Sequence, residues 1–229
     1  MADYKFTDKR IACVILSFVF FGMNIFMKTI GSTLLVRVFP RNLLEEFFDP
    51  IFYGMCFIVV IVLFWKVFIA SINDFIKDYE KYINTSAVFC VITIILMVVS
   101  AILLDSFGVG NSSNQQGLDE AVAQYGAIHI ITICLIGPVV EEILYRGILF
   151  DALKGKENSM VRNIATVLLV AIIFTFMHIS FMDFSVSDLL ANIPIFILGL
   201  TLTVLRLKTS NIICPILVHI AVNCVGRFG

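Results

Sequence analysis

The chain has 229 residues, of which 60% are hydrophobic and 14% are charged, and its mean hydropathy is +1.01. Soluble domains are roughly half apolar and a quarter charged, so this composition excludes an ordinary water-soluble protein and predicts a membrane protein. Because 16 Lys and Arg are balanced by 17 Asp and Glu, the sequence offers no basic surface for a nucleic-acid partner.

Apolar runs recur along the whole chain. A helix needs about 20 mainly apolar residues to cross the bilayer core, and an open strand in lipid would leave its backbone groups unpaired. Such runs lie, in chain order, at about 11–36, 51–70, 86–104, 126–153, 161–180, 188–206 and 211–226. We therefore predict an all-α, polytopic membrane bundle of about seven transmembrane helices. It forms one membrane-embedded domain, in which residues 1–124 carry no motif and residues 125–229 carry the candidate site.

The positive charges predict a cytoplasmic N-terminus. Cytoplasmic loops carry an excess of Lys and Arg, and with seven spans this orientation leaves only Arg37, Arg41 and Arg227 outside. The cytoplasmic side would hold Lys5, Lys9, Arg10, Lys77, Lys81, Lys154, Lys156, Arg162, Arg206 and Lys208. We expect a multi-pass protein of the cell membrane, and its richness in Ile, Phe, Lys and Asn is typical of bacteria. The polar residues 111–117, outside the membrane, are predicted to form a solvated loop.

Charged residues stand inside the fourth predicted span. It contains two adjacent carboxylates, Glu141 and Glu142, followed by Arg146. Charges at membrane depth are costly unless they are paired or hydrated, so they indicate a functional site. Glu142 and Arg146 are spaced i, i+4 and can form an ion pair. Glu141 points about 100° away around the helix and can face a different partner.

The fifth and seventh spans add two imidazoles and an amide. His178 ends the fifth span, and His219 and Asn223 share one face of the seventh. In a bundle such groups converge on an interior cavity, because lipid rejects them. A carboxylate or His can accept a proton from an attacking water, and His and Asn donors can stabilise an oxyanion. The alternative is structural: intramembrane His and Asn often only join helices, and Glu142 with Arg146 can be a structural pair.

In these residues the sequence resembles the CAAX protease and bacteriocin-processing family, also called the Abi family, of intramembrane proteases. Its pattern is E-E-x-x-x-R, F-x-x-x-H and H-x-x-x-N/D, and all three parts occur here in order over about residues 125–226. The matching positions are Glu141, Glu142, Arg146, Phe174, His178, His219 and Asn223.

The resemblance implies a glutamic endopeptidase with no cofactor. Glu141 would activate water with the help of His178, and His219 and Asn223 would form the oxyanion hole. Glu142, Arg146, Phe174 and Tyr145 would support the site. Family members have also been described as metalloproteases. A zinc ion held by Glu141, His178 and His219 is therefore the alternative, ranked second because no H-E-x-x-H helix is present.

The expected partners are the lipid bilayer and a membrane-associated peptide or protein substrate. The resemblance implies one of three tasks: bacteriocin or signal-peptide maturation, self-immunity, or CAAX-type processing. One competing function is a non-proteolytic membrane scaffold or immunity partner, although no catalytic group of the pattern is missing. Another is a proton-relaying transporter, which would predict an internal repeat that the sequence lacks. The sequence predicts neither the oligomeric state nor the substrate.

Overall fold

The computed structural model describes residues 40–155, 159–179 and 185–228. Within these ranges the chain is helical and contains no strand. The helices, in chain order, are α1 (Arg41–Lys77), α2 (Tyr79–Ser106), α3 (Ser113–Tyr125), α4 (Ala127–Lys154), α5 (Met160–Phe176), α6 (Val186–Ala191), α7 (Ile193–Thr209) and α8 (Ile213–Phe228).

Among the described residues, four helical stretches are long and apolar enough to cross a membrane, namely Glu46–Lys77, Tyr79–Ser106, Ala127–Lys154 and Val186–Thr209. Two shorter apolar helices, Met160–Phe176 and Ile213–Arg227, lie beside them. The all-α membrane bundle predicted from composition is confirmed for the described residues. Six of the seven predicted spans coincide with these helices, and the first, at 11–36, lies outside the described residues.

The prediction of a solvated loop at residues 111–117 is wrong, because helix α3 begins at Ser113. Ser112 caps this helix, its hydroxyl oxygen accepting a hydrogen bond from the Gln115 amide at 3.3 Å. Gln115 in turn donates from its side chain to Asp119 at 2.9 Å, one turn later. Local capping and i, i+4 bonds of this kind make a short polar helix possible despite its low apolar content.

Helix α4 is not a uniform α-helix. Two π-helical segments interrupt it, at Thr132–Ile136 and Ile143–Leu149, on either side of the turn Gly137–Glu142. In a π turn the hydrogen bonds run from i to i+5, so the backbone holds an extra residue and the side chains that follow are rotated. Such turns are frequent at functional sites, and here they flank the two glutamates.

Helix α7 lies at the centre of the bundle and packs against α2, α5 and α8. Close contact with α5 depends on Gly199, where an added Cβ would lie 3.0 Å from Phe174 Cδ1 and 3.3 Å from the Ala171 backbone. Contact with α2 includes a buried hydrogen bond of 2.9 Å from the Thr93 hydroxyl to that of Thr201. These contacts hold α4, α5 and α8 around one interior space.

Candidate active site

One cavity of about 470 Å³ contains the predicted catalytic set. Glu141 from α4, His178 just after α5, and His219 and Asn223 from α8 all line it. The structure therefore brings together four residues that are up to 82 positions apart in sequence (141 to 223). Their catalytic roles remain predictions.

Glu141 lies between the two histidines. Its Oε2 atom is 3.9 Å from Nε2 of His178 and 3.9 Å from Nε2 of His219. Both distances exceed the range of a direct hydrogen bond. The side chains of Glu141 and His178 are 17% and 20% exposed, whereas that of His219 is 3% exposed. A small molecule in the cavity can therefore contact the carboxylate and an imidazole together.

The hydrogen bonds at Nδ1 fix which way both rings face. His178 Nδ1 contacts the Phe174 carbonyl oxygen at 2.8 Å, and His219 Nδ1 contacts Glu142 Oε1 at 2.8 Å. A carbonyl and a carboxylate only accept hydrogen bonds, so both Nδ1 atoms must carry the proton. In the neutral rings Nε2 then presents its lone pair towards Glu141.

A buried ion pair lies behind the cavity. Glu142 and Arg146 are both 0% exposed, and Arg146 Nη1 donates to Glu142 Oε1 at 2.8 Å. Arg146 also donates from Nη2 to the Gly199 carbonyl at 2.9 Å and from Nε to the Thr203 hydroxyl at 3.3 Å. The i, i+4 pair expected from sequence is thus present. The bond from His219 to the same carboxylate was not expected, and it couples the ion pair to the cavity wall.

Phe174 fills the space between the charged groups. The ring is 0% exposed, and its centroid lies 4.4 Å from the Arg146 guanidinium carbon. It also contacts the rings of His178 at 4.6 Å and Tyr145 at 5.0 Å. A cation over an aromatic face is favourable, more so away from water. Phe174 thus contributes to holding Arg146 at depth and supports one side of the His178 ring, while Tyr145 lines the cavity.

Asn223 is anchored by the first π-helical segment. Its side-chain nitrogen donates to the Ile133 carbonyl oxygen at 3.0 Å. An amide nitrogen carries two protons, so this bond orients the group and leaves one N–H for another acceptor. The segment Thr132–Ile136 therefore positions a donor on α8.

Comparison with known proteins finds a family that part of the chain resembles. Residues 123–225 match the family described as "Type II CAAX prenyl endopeptidase Rce1-like", and this range contains every residue of the three motifs. Residues 123–225 are similar to this family, and we call them the Rce1-like domain. The resemblance that the motifs carried is thereby confirmed.

Two curated bacterial relatives agree with this assignment. "Membrane-embedded CAAX protease MroQ" of Staphylococcus aureus (strain USA300) is 28% identical over 155 residues, which are 65% of this chain and 58% of that protein. "Putative membrane peptidase YdiL" of Bacillus subtilis (strain 168) is 30% identical over 117 residues, 51% of this chain and 43% of that protein. The matches thus span only about half the length of each relative. No solved structure matches the chain with significance.

The Rce1-like domain also contains residues that sequence reasoning missed. Arg206 on α7 is buried, donates from Nε to the Arg146 carbonyl at 3.0 Å and pairs through Nη2 with Asp151 at 3.1 Å. It thereby fixes the second π-helical segment. Arg206 was assigned to the cytoplasmic charges, and only its place inside an apolar span could have drawn attention to it. Thr203 and Gly199, which contact Arg146, have no sequence signal of their own.

The zinc alternative can be tested against the donor set of the Rce1-like domain. Metal-binding histidines usually donate their second ring N–H to a carbonyl or carboxylate, and both histidines here do so. The three donor atoms are nevertheless not arranged as a metal site, and within the described ranges no group of three or more His, Cys, Asp or Glu is placed to hold a metal ion. We therefore propose a reaction without a metal below and keep zinc as the alternative.

Proposed function

We propose that this protein is an intramembrane endopeptidase that hydrolyses a peptide bond of a membrane-associated peptide or protein with a water activated by Glu141 and His178. The observation that carries the proposal is the separation of 3.9 Å between Glu141 Oε2 and His178 Nε2. One water molecule about 2.8 Å from each atom spans that distance. The Rce1-like domain and the names of the two bacterial relatives support the same reaction class.

The first step is attack by this water. Its oxygen forms a bond to the carbonyl carbon of the substrate, and its proton passes to the Glu141 carboxylate. The second O–H of the water donates a hydrogen bond to Nε2 of His178. The lone pair of Nε2 is available for this because the Nδ1–H of the ring donates to the Phe174 carbonyl. General-base catalysis of this kind contributes typically about 10²- to 10⁴-fold.

The second step stabilises the oxyanion of the tetrahedral intermediate. Asn223 offers its remaining side-chain N–H, and His219 offers Nε2–H when its ring is cationic. Glu142 accepts from His219 Nδ1 at 2.8 Å and so holds the ring with Nε2 towards the cavity. Glu141 then returns the proton to the amide nitrogen as the C–N bond breaks, which yields a carboxylic acid and an amine.

Helix α3 and the predicted orientation together suggest the side from which substrate arrives. Several of its residues, among them Ser113, Leu118 and Ala121, line the same cavity as Glu141. Under the predicted orientation with a cytoplasmic N-terminus, this helix lies outside the cytoplasm. We therefore place cleavage in the extracytoplasmic half of the membrane, which suits maturation of an exported peptide better than processing of a cytoplasmic C-terminus.

The decisive experiment compares wild type with Glu141→Gln. Membranes or detergent-purified protein are incubated with a library of lipid-anchored peptides, and mass spectrometry identifies the cleaved bonds. We expect cleavage by wild type and none by Glu141→Gln, with similar melting temperatures because the contacts of the Glu141 carboxylate with the two histidines are both as long as 3.9 Å. The matched control is Glu120→Gln, an exposed carboxylate on α3. Equal activity of wild type and Glu141→Gln would refute the mechanism.

A further inference from the structure

The catalytic face of α8 continues beyond the predicted oxyanion donors. His219, Asn223 and Arg227 follow one another at intervals of four residues, so they share one face of the helix. All three line the cavity. Within the described ranges, Arg227 is the only Lys or Arg on the cavity wall, whereas carboxylates occur there at Asp49 and Glu141.

The Arg227 guanidinium is only partly paired. Nη1 donates to Asp119 of α3 at 2.8 Å. Nε is buried and has no hydrogen-bond acceptor among the described residues. A buried donor without an acceptor is unfavourable, and the edge formed by Nε and Nη2 is the one that binds a carboxylate through two parallel bonds.

The contact with Asp119 does not compete strongly with a ligand. The Asp119 side chain is 45% exposed, against 14% for Arg227. An ion pair with so exposed a carboxylate is weak. A second carboxylate that enters the cavity can therefore accept hydrogen bonds from Nε and Nη2 of Arg227, or it can replace Asp119.

We infer that Arg227 is a substrate-binding residue that holds a carboxylate of the peptide. The inference rests on the proposed function, because it assumes that the cleaved carbonyl lies at Asn223. Along a helix, four residues rise by roughly 6 Å, and an extended peptide rises by about 3.3 Å per residue. With the reach of the Arg side chain, the carboxylate lies about two to four residues from the cleaved bond. It belongs either to an Asp or Glu side chain or to the C-terminus of the peptide.

Binding can be measured separately from cleavage. The probes are fluorescent, dodecanoylated decapeptides of Ala, Leu and Ser that carry one Asp at successive positions. Asn peptides serve as the neutral counterparts. A second pair, with a free or an amidated C-terminus, distinguishes a terminal carboxylate from a side chain. Fluorescence anisotropy gives Kd values for purified, full-length Glu141→Gln, and wild type is assayed for cleavage of the same peptides.

We expect one carboxylate position to bind on the order of tenfold more tightly than its neutral counterpart, as for one charge-assisted hydrogen bond. Adding Arg227→Gln should abolish the preference and Arg227→Lys should retain part of it. Asp119→Asn should increase it by removing the competing carboxylate, and the control Glu120→Gln should leave it unchanged.

The outcomes separate the two proposals. Equal or undetectable binding of all peptides, or a preference that survives Arg227→Gln, overturns the role of Arg227. If wild type cleaves peptides without any carboxylate preference, the endopeptidase proposal stands and the carboxylate site fails. If the preference depends on Arg227 but no peptide is cleaved, the binding site stands and the reaction fails.

Discussion

Removing the charge of Glu142 should lower the stability of the folded protein, whereas removing the charge of Glu141 should change it little. Glu142 is 0% exposed and accepts hydrogen bonds of 2.8 Å from both Arg146 and His219. In Glu142→Gln the buried guanidinium keeps, among the described residues, only the neutral hydrogen-bond partners Gly199 and Thr203. Breaking a buried ion pair by removing one partner costs about 3–5 kcal/mol, against a total stability of roughly 5–15 kcal/mol for a typical protein.

The comparison with Glu141→Gln makes this loss specific. Glu141 is 17% exposed, and its Oε2 atom lies 3.9 Å from Nε2 of His178 and of His219. We expect its substitution to change stability by less than about 1 kcal/mol. Since 1 kcal/mol shifts the melting temperature of a chain of this size by roughly 2–4 °C, Glu142→Gln should melt about 6–20 °C lower than Glu141→Gln.

The assay is thermal unfolding of both variants in the same detergent, followed by size-exclusion chromatography of heated samples. The double variant Glu142→Gln, Arg146→Gln supplies the coupling energy, because residues in one network give non-additive losses. It should be less destabilised than the sum of the single variants. Equal melting temperatures for Glu142→Gln and Glu141→Gln, or additive losses, would show that the buried pair does not stabilise the bundle.

Three further predictions concern the donors, the packing and the metal. Asn223→Ala should lower kcat by about 10²- to 10³-fold, as for one oxyanion donor, measured as turnover of the peptide cleaved fastest by wild type; an unchanged kcat would remove this residue from the mechanism. Gly199→Ala should lose about 1–3 kcal/mol, because its Cβ would lie 3.0 Å from Phe174 Cδ1; thermal unfolding should detect this, while Gly117→Ala, with no atom within 4 Å of the new Cβ, should lose nothing. Treatment with a zinc chelator should leave cleavage intact; loss of activity that zinc restores, with one zinc per chain by elemental analysis, would establish the metal-dependent alternative instead.

The helices and the convergence of the polar side chains could be predicted from sequence because both follow from the solvent. Lipid requires long apolar helices, and it excludes charged and hydrogen-bonding groups from the outer surface of a bundle. Glu141, His178 and His219 therefore had to meet inside. The ion pair of Glu142 with Arg146 followed from helical spacing alone.

Other features depend on contacts between distant segments and have no local pattern. The π-helical turns of α4 are fixed by partners on other helices, such as Arg206 and Asn223. The start of helix α3 was predicted as part of a loop at 111–117 because its composition is polar. The contribution of this helix to the cavity depends on contacts such as the one from the Ser113 amide to Asp188 at 2.7 Å. The bond between His219 and Glu142 joins residues 77 positions apart.

Because of the two π-helical segments, the number of residues in α4 is as important for the site as the side chains that it carries. A π turn is an α-helix with one residue too many, so deleting one residue within Ile143–Leu149 would let the backbone relax to an ordinary helix. The lengths and apolar surfaces of the flanking helices would survive, and the protein would still insert in the membrane. Arg146 or its successors would, however, face a new direction relative to Glu142. A scan by single deletions through α4 would thus separate insertion in the membrane from assembly of the site, which substitutions at the motif residues cannot do.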